Sequence, residues 1–222
     1  MRVITYSNIG AREKNQDRIA HCVLPNEGQL FIVADGMGGY DAGEEAAEVA
    51  IEAIIASLSA KPGDIFEAIL EANTAIANKK KSLGIAEMGC TLAAVLLHES
   101  AISIFWAGDS RVYLIRDNRI VYETEDHSLV NEMKKIKRLT PAQIRKYEHI
   151  VRRSLMGNIT DVVDTSEMEV HSGDEVLICS DGFHKEIPLP FLLEKLRTED
   201  DFSIDNEKFE DNHSLIYFKL DS

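Results

Sequence analysis

Three aspartates in this 222-residue chain each close an apolar run beside a glycine. Asp35 ends Leu30-Phe31-Ile32-Val33-Ala34, Asp109 follows Ile104-Phe105-Trp106-Ala107-Gly108, and Asp181 follows Val176-Leu177-Ile178-Cys179-Ser180. Such runs between turn signals predict buried strands, and a strand end is a rigid place to hold a charge. Gly36 lets the backbone turn so that its carbonyl can face the same point as the Asp35 carboxylate. Three carboxylates drawn together are stable only around cations or protons. Carboxylate and carbonyl oxygens are hard ligands, which points to Mg2+ or Mn2+. None of the seven histidines stands in an H-x-x-x-H or cysteine-paired spacing, which argues against a dedicated zinc site. The competing reading is that each aspartate merely forms a turn, as Asp-Gly often does.

The glycines after Asp35 also invite a phosphate-binding reading, and it fails. In G-x-G-x-x-G the third glycine is missing, because Asp41 stands there. The P-loop pattern fails as well, since Gly38 and Gly43 are followed by Glu44-Glu45 where lysine and a hydroxyl residue are needed. A loop flanked by these carboxylates repels a naked phosphate.

The elements that must position these groups follow from periodicity. Strands are predicted at 2–7, 19–24, 30–34, 91–97 and 102–107, a hairpin at 111–115 and 119–122 around Asp117-Asn118, and further strands at 167–170, 175–179 and 215–220. Gly43 to Leu58 places Ala46, Ala47, Ala50, Ile51, Ile54, Ile55 and Leu58 on one helical face. A second helix starts at Asp64 with Glu67 in a capping pattern and ends near Lys79-Lys80-Lys81, before Gly84; a short third one covers 189–196. The stretch 197–212 is acidic and weakly patterned, and is expected to be a loop. Antiparallel-looking strands with grouped helices and no dividing linker predict one α+β domain over residues 1–222.

Composition narrows the partners. Hydrophobic residues make up 45% and charged residues 28%, ordinary values for a globular protein, and the net charge of −14 argues against nucleic acid. Residues 1–17 hold no apolar signal core, and no stretch nears the ~20 apolar residues needed to cross a bilayer. Cys22, Cys90 and Cys179 are odd in number, widely spaced and set among apolar neighbours, so buried free thiols in a reducing compartment, the cytoplasm, are expected. Charge is unevenly spread. Segment 128–158 carries Lys134, Lys135, Lys137, Arg138, Arg145, Lys146, Arg152 and Arg153 against Glu132 and Glu148, a net +6 that leaves −20 elsewhere.

The segment V-A-D-G-M-G-G-Y-D-A-G-E-E-A at 33–46 resembles the signature of the metal-dependent protein phosphatases (PPM, type 2C), in their bacterial form. R-E-K-N-Q-D (12–17), G-C-T-L-A (89–93), G-D-S-R-V-Y-L (108–114), E-D-H-S (125–128), C-S-D-G-F (179–183) and E-D-N-H-S (210–214) follow the other blocks of that family in order. The resemblance implies a four-layer αββα sandwich, two antiparallel sheets face to face and flanked by helices. It implies a pair of Mn2+ or Mg2+ ions, with Asp35 bridging them, the Gly36 carbonyl on one, and Asp181 and Asp211 completing the set. Asp17 would hold metal-bound water from behind, and Asp109, sharing Asp181, would help hold a third, weaker ion. Arg12 would grip the substrate phosphate, for which its two-pronged guanidinium is suited. Two divalent ions lower the pKa of a bridging water enough to make hydroxide near neutral pH, and that hydroxide attacks phosphorus in line.

Several residues qualify the resemblance. Met37 stands where many eukaryotic members carry a histidine proposed as general acid, so leaving-group protonation falls to metal-bound water. Gln16 replaces a frequent glutamate, and the stretch before Asp211 is shorter than in many members. His127 is expected to make a structural hydrogen bond, and Cys179 and Trp106 to pack in the core. Segment 128–158 overlaps the family's variable flap; it is either a pair of helices with a solvated face or an attractor for acidic phosphorylated segments. The implied activity is hydrolysis of phosphoserine and phosphothreonine in proteins by a cytoplasmic monomer opposed by a serine/threonine kinase. The rival from another class is a non-catalytic module that binds a phosphoprotein or kinase; a small-metabolite phosphatase is a third reading.

Overall fold

Apolar residues in the strands alternate between two destinations, and that alternation generates the layers. A computed structural model describes residues 1–37, 42–199, 202–205 and 209–221. Its first sheet joins β1 (Arg2–Asn8), β11 (His213–Lys219), β10 (Glu175–Cys179), β7 (Arg111–Arg116) and β8 (Arg119–Glu123) in that order. The second joins β2 (Asp17–Val23), β3 (Gln29–Met37), β5 (Leu92–His98), β6 (Ala101–Ala107) and β9 (Asp164–Glu169), with β4 (Gly89–Cys90) against the end of β3. Among the described residues every pairing is antiparallel.

On β3, Phe31 and Val33 point between the sheets, where they meet Val95, Val112, Ile178, Ile216 and Phe218. Leu30, Ile32 and Ala34 point the other way, onto α1 (Gly43–Ala60) and α2 (Ile65–Leu83). The opposite outer face carries α5 (Asp181–His184) and α6 (Leu189–Thr198), whose Phe183, Leu192, Leu193 and Leu196 cover Tyr113, Leu177, Leu215 and Tyr217. Three apolar cores between four layers make the αββα sandwich. Two period-2 faces on each sheet require it.

The local signals act as their chemistry dictates. The Asp64 side chain accepts from the Glu67 N–H at 3.1 Å to start α2, and Gly84, at φ +68°, ends it. Asp117 and Asn118 both take positive φ, 51° and 60°, the twist of a tight hairpin turn.

The structure departs from expectation at the site itself. β3 does not stop at Asp35 but runs on through Gly36 to Met37, because β4 supplies a partner strand there, pairing Cys90 with Gly36. Gly36 is therefore not a turn residue. It is required by proximity: a Cβ on it would lie 2.3 Å from Gly43 of the α1 N-terminus, so the strand and helix touch backbone to backbone. β2 likewise begins at Asp17, two residues before the expected start. Segment 128–158 holds two short helices, α3 (Leu129–Ile136), capped by Ser128, and α4 (Pro141–Tyr147), capped by Thr140 with Gln143. Gly38, Gly39 and Asp41 of the glycine-rich stretch, and residues 200, 201 and 206–208 of the expected acidic loop, lie outside the described residues. Phe202 and Phe209 of that loop are buried under α6, so it is part of a core despite its polar composition. Of the three thiols expected to be buried, Cys90 and Cys179 are, but Cys22 is only half-buried.

Candidate metal centre

The ends of β3, β6 and β10, the loop before β11 and the loop between β1 and β2 open into one cavity of about 570 Å3. Arg12, Asp35, Gly36, Asp109, Asp181 and Asp211 all line it, which brings together six of the seven expected site residues. The seventh, Asp17, is buried directly behind, opposite Asp35 across the β2–β3 ladder.

Each carboxylate reaches the cavity by a different device. Asp35 rides on β3, its N–H donating to the Thr91 hydroxyl at 3.2 Å and its carbonyl accepting from the Thr91 N–H at 2.8 Å. Asp109 follows Gly108, whose φ of +116° and 2.5 Å clearance from Thr91 leave no room for a side chain. Asp181 opens α5. Asp211 follows Phe209 and Glu210, and its backbone presses on Gly10, where a Cβ would meet the Asp211 carbonyl at 2.2 Å.

Burial and mutual repulsion govern the charges. Burial first, then the neighbouring Asp17, Asp181, Asp109 and Asp211, raise the Asp35 pKa well above the carboxylate range. Burial raises Asp17 to about 6, against the opposing pull of the nearby Ser214 and Ser180 hydroxyls. Asp109 is raised too, by burial and then by Asp181. This is the electrostatic signature of a cluster short of positive charge.

Two cationic side chains supply part of it. Lys185 Nζ lies 2.8 Å from Asp109 Oδ2 and 2.7 Å from Asp181 Oδ2. Arg12 Nη2 donates to Asp211 Oδ2 at 2.8 Å.

The residues present fit a pair of divalent ions in their donor chemistry. Asp17 Oδ1 is buried with no hydrogen-bond partner, while its Oδ2 accepts from the Ser180 hydroxyl at 2.8 Å. An orphaned carboxylate oxygen behind a polar cavity is what an ordered water would satisfy. Among the described residues no three His, Cys, Asp or Glu side chains already form a closed cage. Asp211 is the least prepared, since Arg12 takes its Oδ2 and the Asn212 N–H donates to its Oδ1 at 2.8 Å. Arg12 is 58% exposed, so it can leave Asp211 at little cost.

Four supporting residues were not singled out from the sequence. Asn212 donates to the carbonyls of Ile9 (2.8 Å) and Lys14 (2.9 Å) and accepts from Gln16 N–H (2.8 Å), which clamps the loop carrying Arg12. Ser180 ties Asp17 to Ser214. His184, held neutral by burial and then by Arg111 with its pKa lowered to about 4, donates from Nε2 to the Asp109 carbonyl at 2.8 Å. Lys185 is the fourth, and its spacing of four from Asp181 becomes a signal only once a helix is expected there. His127 takes a structural place: Nδ1 accepts from Gly108 N–H at 3.1 Å, so Nε2 carries the proton toward Asp164 at 3.2 Å.

The family model for protein phosphatase 2C matches residues 5–212. The chain belongs to the protein phosphatase 2C family. A curated relative named serine/threonine protein phosphatase PstP, from Mycobacterium tuberculosis, is 32% identical over 200 residues, covering 86% of this chain and 37% of that protein. The chain therefore spans little more than a third of that relative's length. A serine/threonine phosphatase from Listeria welshimeri is 31% identical over 189 residues, covering 80% of this chain and 75% of that protein. Among solved structures, the catalytic domain of PstP with two manganese ions superposes at a TM-score of 0.81 with 27% identity, covering 100% of this chain and 98% of that one. This phosphatase 2C chain has, among its described residues, no helix long and apolar enough to cross a membrane.

Proposed function

We propose that this protein is a metal-dependent phosphatase that removes phosphate from phosphoserine and phosphothreonine in proteins. The observation that carries the reading is the convergence of Asp35, Gly36, Asp181 and Asp211 on one cavity with Arg12 at its rim and the orphaned Asp17 oxygen behind. Asp35, the Gly36 carbonyl, Asp181 and Asp211 would hold two ions, Mn2+ or Mg2+. Bound divalent ions supply the charge that activates water and offsets the negative charge of the phosphoryl group. The chain's own residues do the rest. Asp17 orients water through its free Oδ1, and Arg12 exchanges Asp211 for the substrate phosphate, gripping two of its oxygens. Met37 has no ionisable proton, so its position on β3 cannot supply one to the leaving alkoxide.

The family relatives named as serine/threonine phosphatases support a phosphoprotein substrate, and an opposing serine/threonine kinase follows from that chemistry. A single catalytic domain over 1–222, acting as a cytoplasmic monomer with a flap at 128–158, completes the reading. His149 and Val151 line the cavity, which supports a flap beside the site. The test is manganese-dependent hydrolysis of para-nitrophenyl phosphate and of a phosphothreonine peptide, lost in Asp35→Asn and Asp181→Asn. Pure, manganese-loaded protein without turnover overturns the proposal.

A further inference from the structure

The third cation position implied by Asp109 and Asp181 does not fit a metal ion in this chain. Lys185 Nζ sits between their Oδ2 atoms, 2.8 and 2.7 Å away. A divalent ion shared by the same two oxygens would lie about 2.1 Å from each, inside the volume the ammonium fills. We infer that Lys185 is a built-in replacement for a third metal, making this a two-ion centre whose third positive charge is covalent. The inference rests on the two-metal reading of the site.

The lysine is placed by the fold. It closes α5 one turn after Asp181, and its N–H donates to the Asp181 carbonyl at 2.9 Å, so its side chain projects back over that residue. Its neighbour His184 grips the Asp109 backbone while Lys185 grips the Asp109 carboxylate. Asp109 itself is buried, and among the described residues no other cation reaches it. A tethered ammonium competes at a high effective concentration, so a weakly held ion in solution cannot displace it. It also differs in kind from a metal: one charge, three N–H donors and no coordinated water to ionise. Among the described residues Asp181 Oδ1 has no protein partner, so Lys185 acts as a positioning residue that fixes one oxygen and leaves the other to the ion pair.

Bound manganese is counted by equilibrium dialysis with elemental analysis, and by native mass spectrometry, from micromolar to millimolar Mn2+. Wild type saturates at two ions per chain, Lys185→Gln takes up a third, and Lys185→Gln/Asp109→Asn returns to two. Three ions in wild type, or two in Lys185→Gln, overturn the inference and leave the two-metal reading intact. No bound ion in wild type, with no hydrolysis, overturns both. Should Lys185→Gln fail to fold, the 15Nζ signal of Lys185 in wild type decides. It stays hydrogen-bonded at millimolar Mg2+ if the inference holds, and its release overturns it.

Discussion

Asp17 and Asp35 stand directly opposite each other across the β2–β3 ladder, two carboxylates on one face of a sheet. Like charges in that relation destabilise a strand pair, and Asp17 is also shielded from water. The folded protein tolerates them by holding protons or cations.

The sign of the pH effect follows. Asp17 goes from an ordinary 3.8 to about 6, so the folded state binds its proton more tightly than the unfolded state. Without metal, its contribution favours folding below about 3.8 and is lost as pH rises through 6. In EDTA, Asp17→Asn is expected to be more stable than wild type above pH 6, by up to roughly 3 kcal/mol, and equal to it near pH 3.8. Urea titrations across that range measure the difference.

Metal bound as proposed is expected to reverse the penalty. Manganese is expected to raise the melting temperature of wild type and to bind more tightly as pH rises, with proton release on binding. Asp35→Asn should show neither effect in thermal scans or calorimetry. Equal shifts in both proteins would place the ions elsewhere.

The proposed phosphate grip would use the same guanidinium that now donates to Asp211. Arg12→Lys keeps the charge and loses the paired donors, so kcat/KM is expected to fall roughly 10- to 100-fold, with the metal count unchanged. Steady-state kinetics with para-nitrophenyl phosphate and a phosphopeptide test this.

Asn212 holds the loop from Ile9 to Gln16 by three hydrogen bonds. Asn212→Ala should cost about 2–3 kcal/mol, because it leaves backbone groups unpaired. It should also raise KM by freeing Arg12. A stability loss with unchanged KM would mean the clamp does not reach the substrate.

Among the described residues Lys137, Arg138 and Arg145 make no ion pair, whereas Lys135 reaches Glu125 at 2.8 Å. Charge reversal at Lys134, Lys135, Lys137 and Arg138 is expected to raise KM for a phosphoprotein several-fold and to leave para-nitrophenyl phosphate turnover alone. Equal effects on both substrates would count against substrate steering.

The two layers of strands were legible because the alternation of Leu30 to Ala34 encodes both faces of a sheet. The outer helices were legible where they run long and carry caps, as at Asp64 and Gly84. Asp35, Asp109 and Asp181 stood out as charges closing apolar runs. Asp211 did not, since the residues before it form no apolar run, and only the ordered motifs pointed to it. The path of β3 through Gly36 was hidden because its partner, Gly89–Cys90, is two residues long and too short to carry a period. Lys185 was hidden for a related reason: its meaning depends on a four-residue helix that no periodicity announces.

The strand β11 lies between β1 and β10, in the interior of its sheet, and Asp211 and Asn212 immediately precede it. A chain still emerging from the ribosome, with His213–Lys219 not yet released, has a split sheet, an unclamped Arg12 loop and an incomplete carboxylate set. Synthesis thus carries its own safeguard. On the proposed function, the chain would neither hold its ions in order nor act on a phosphoprotein until the strand that closes the sheet has been made.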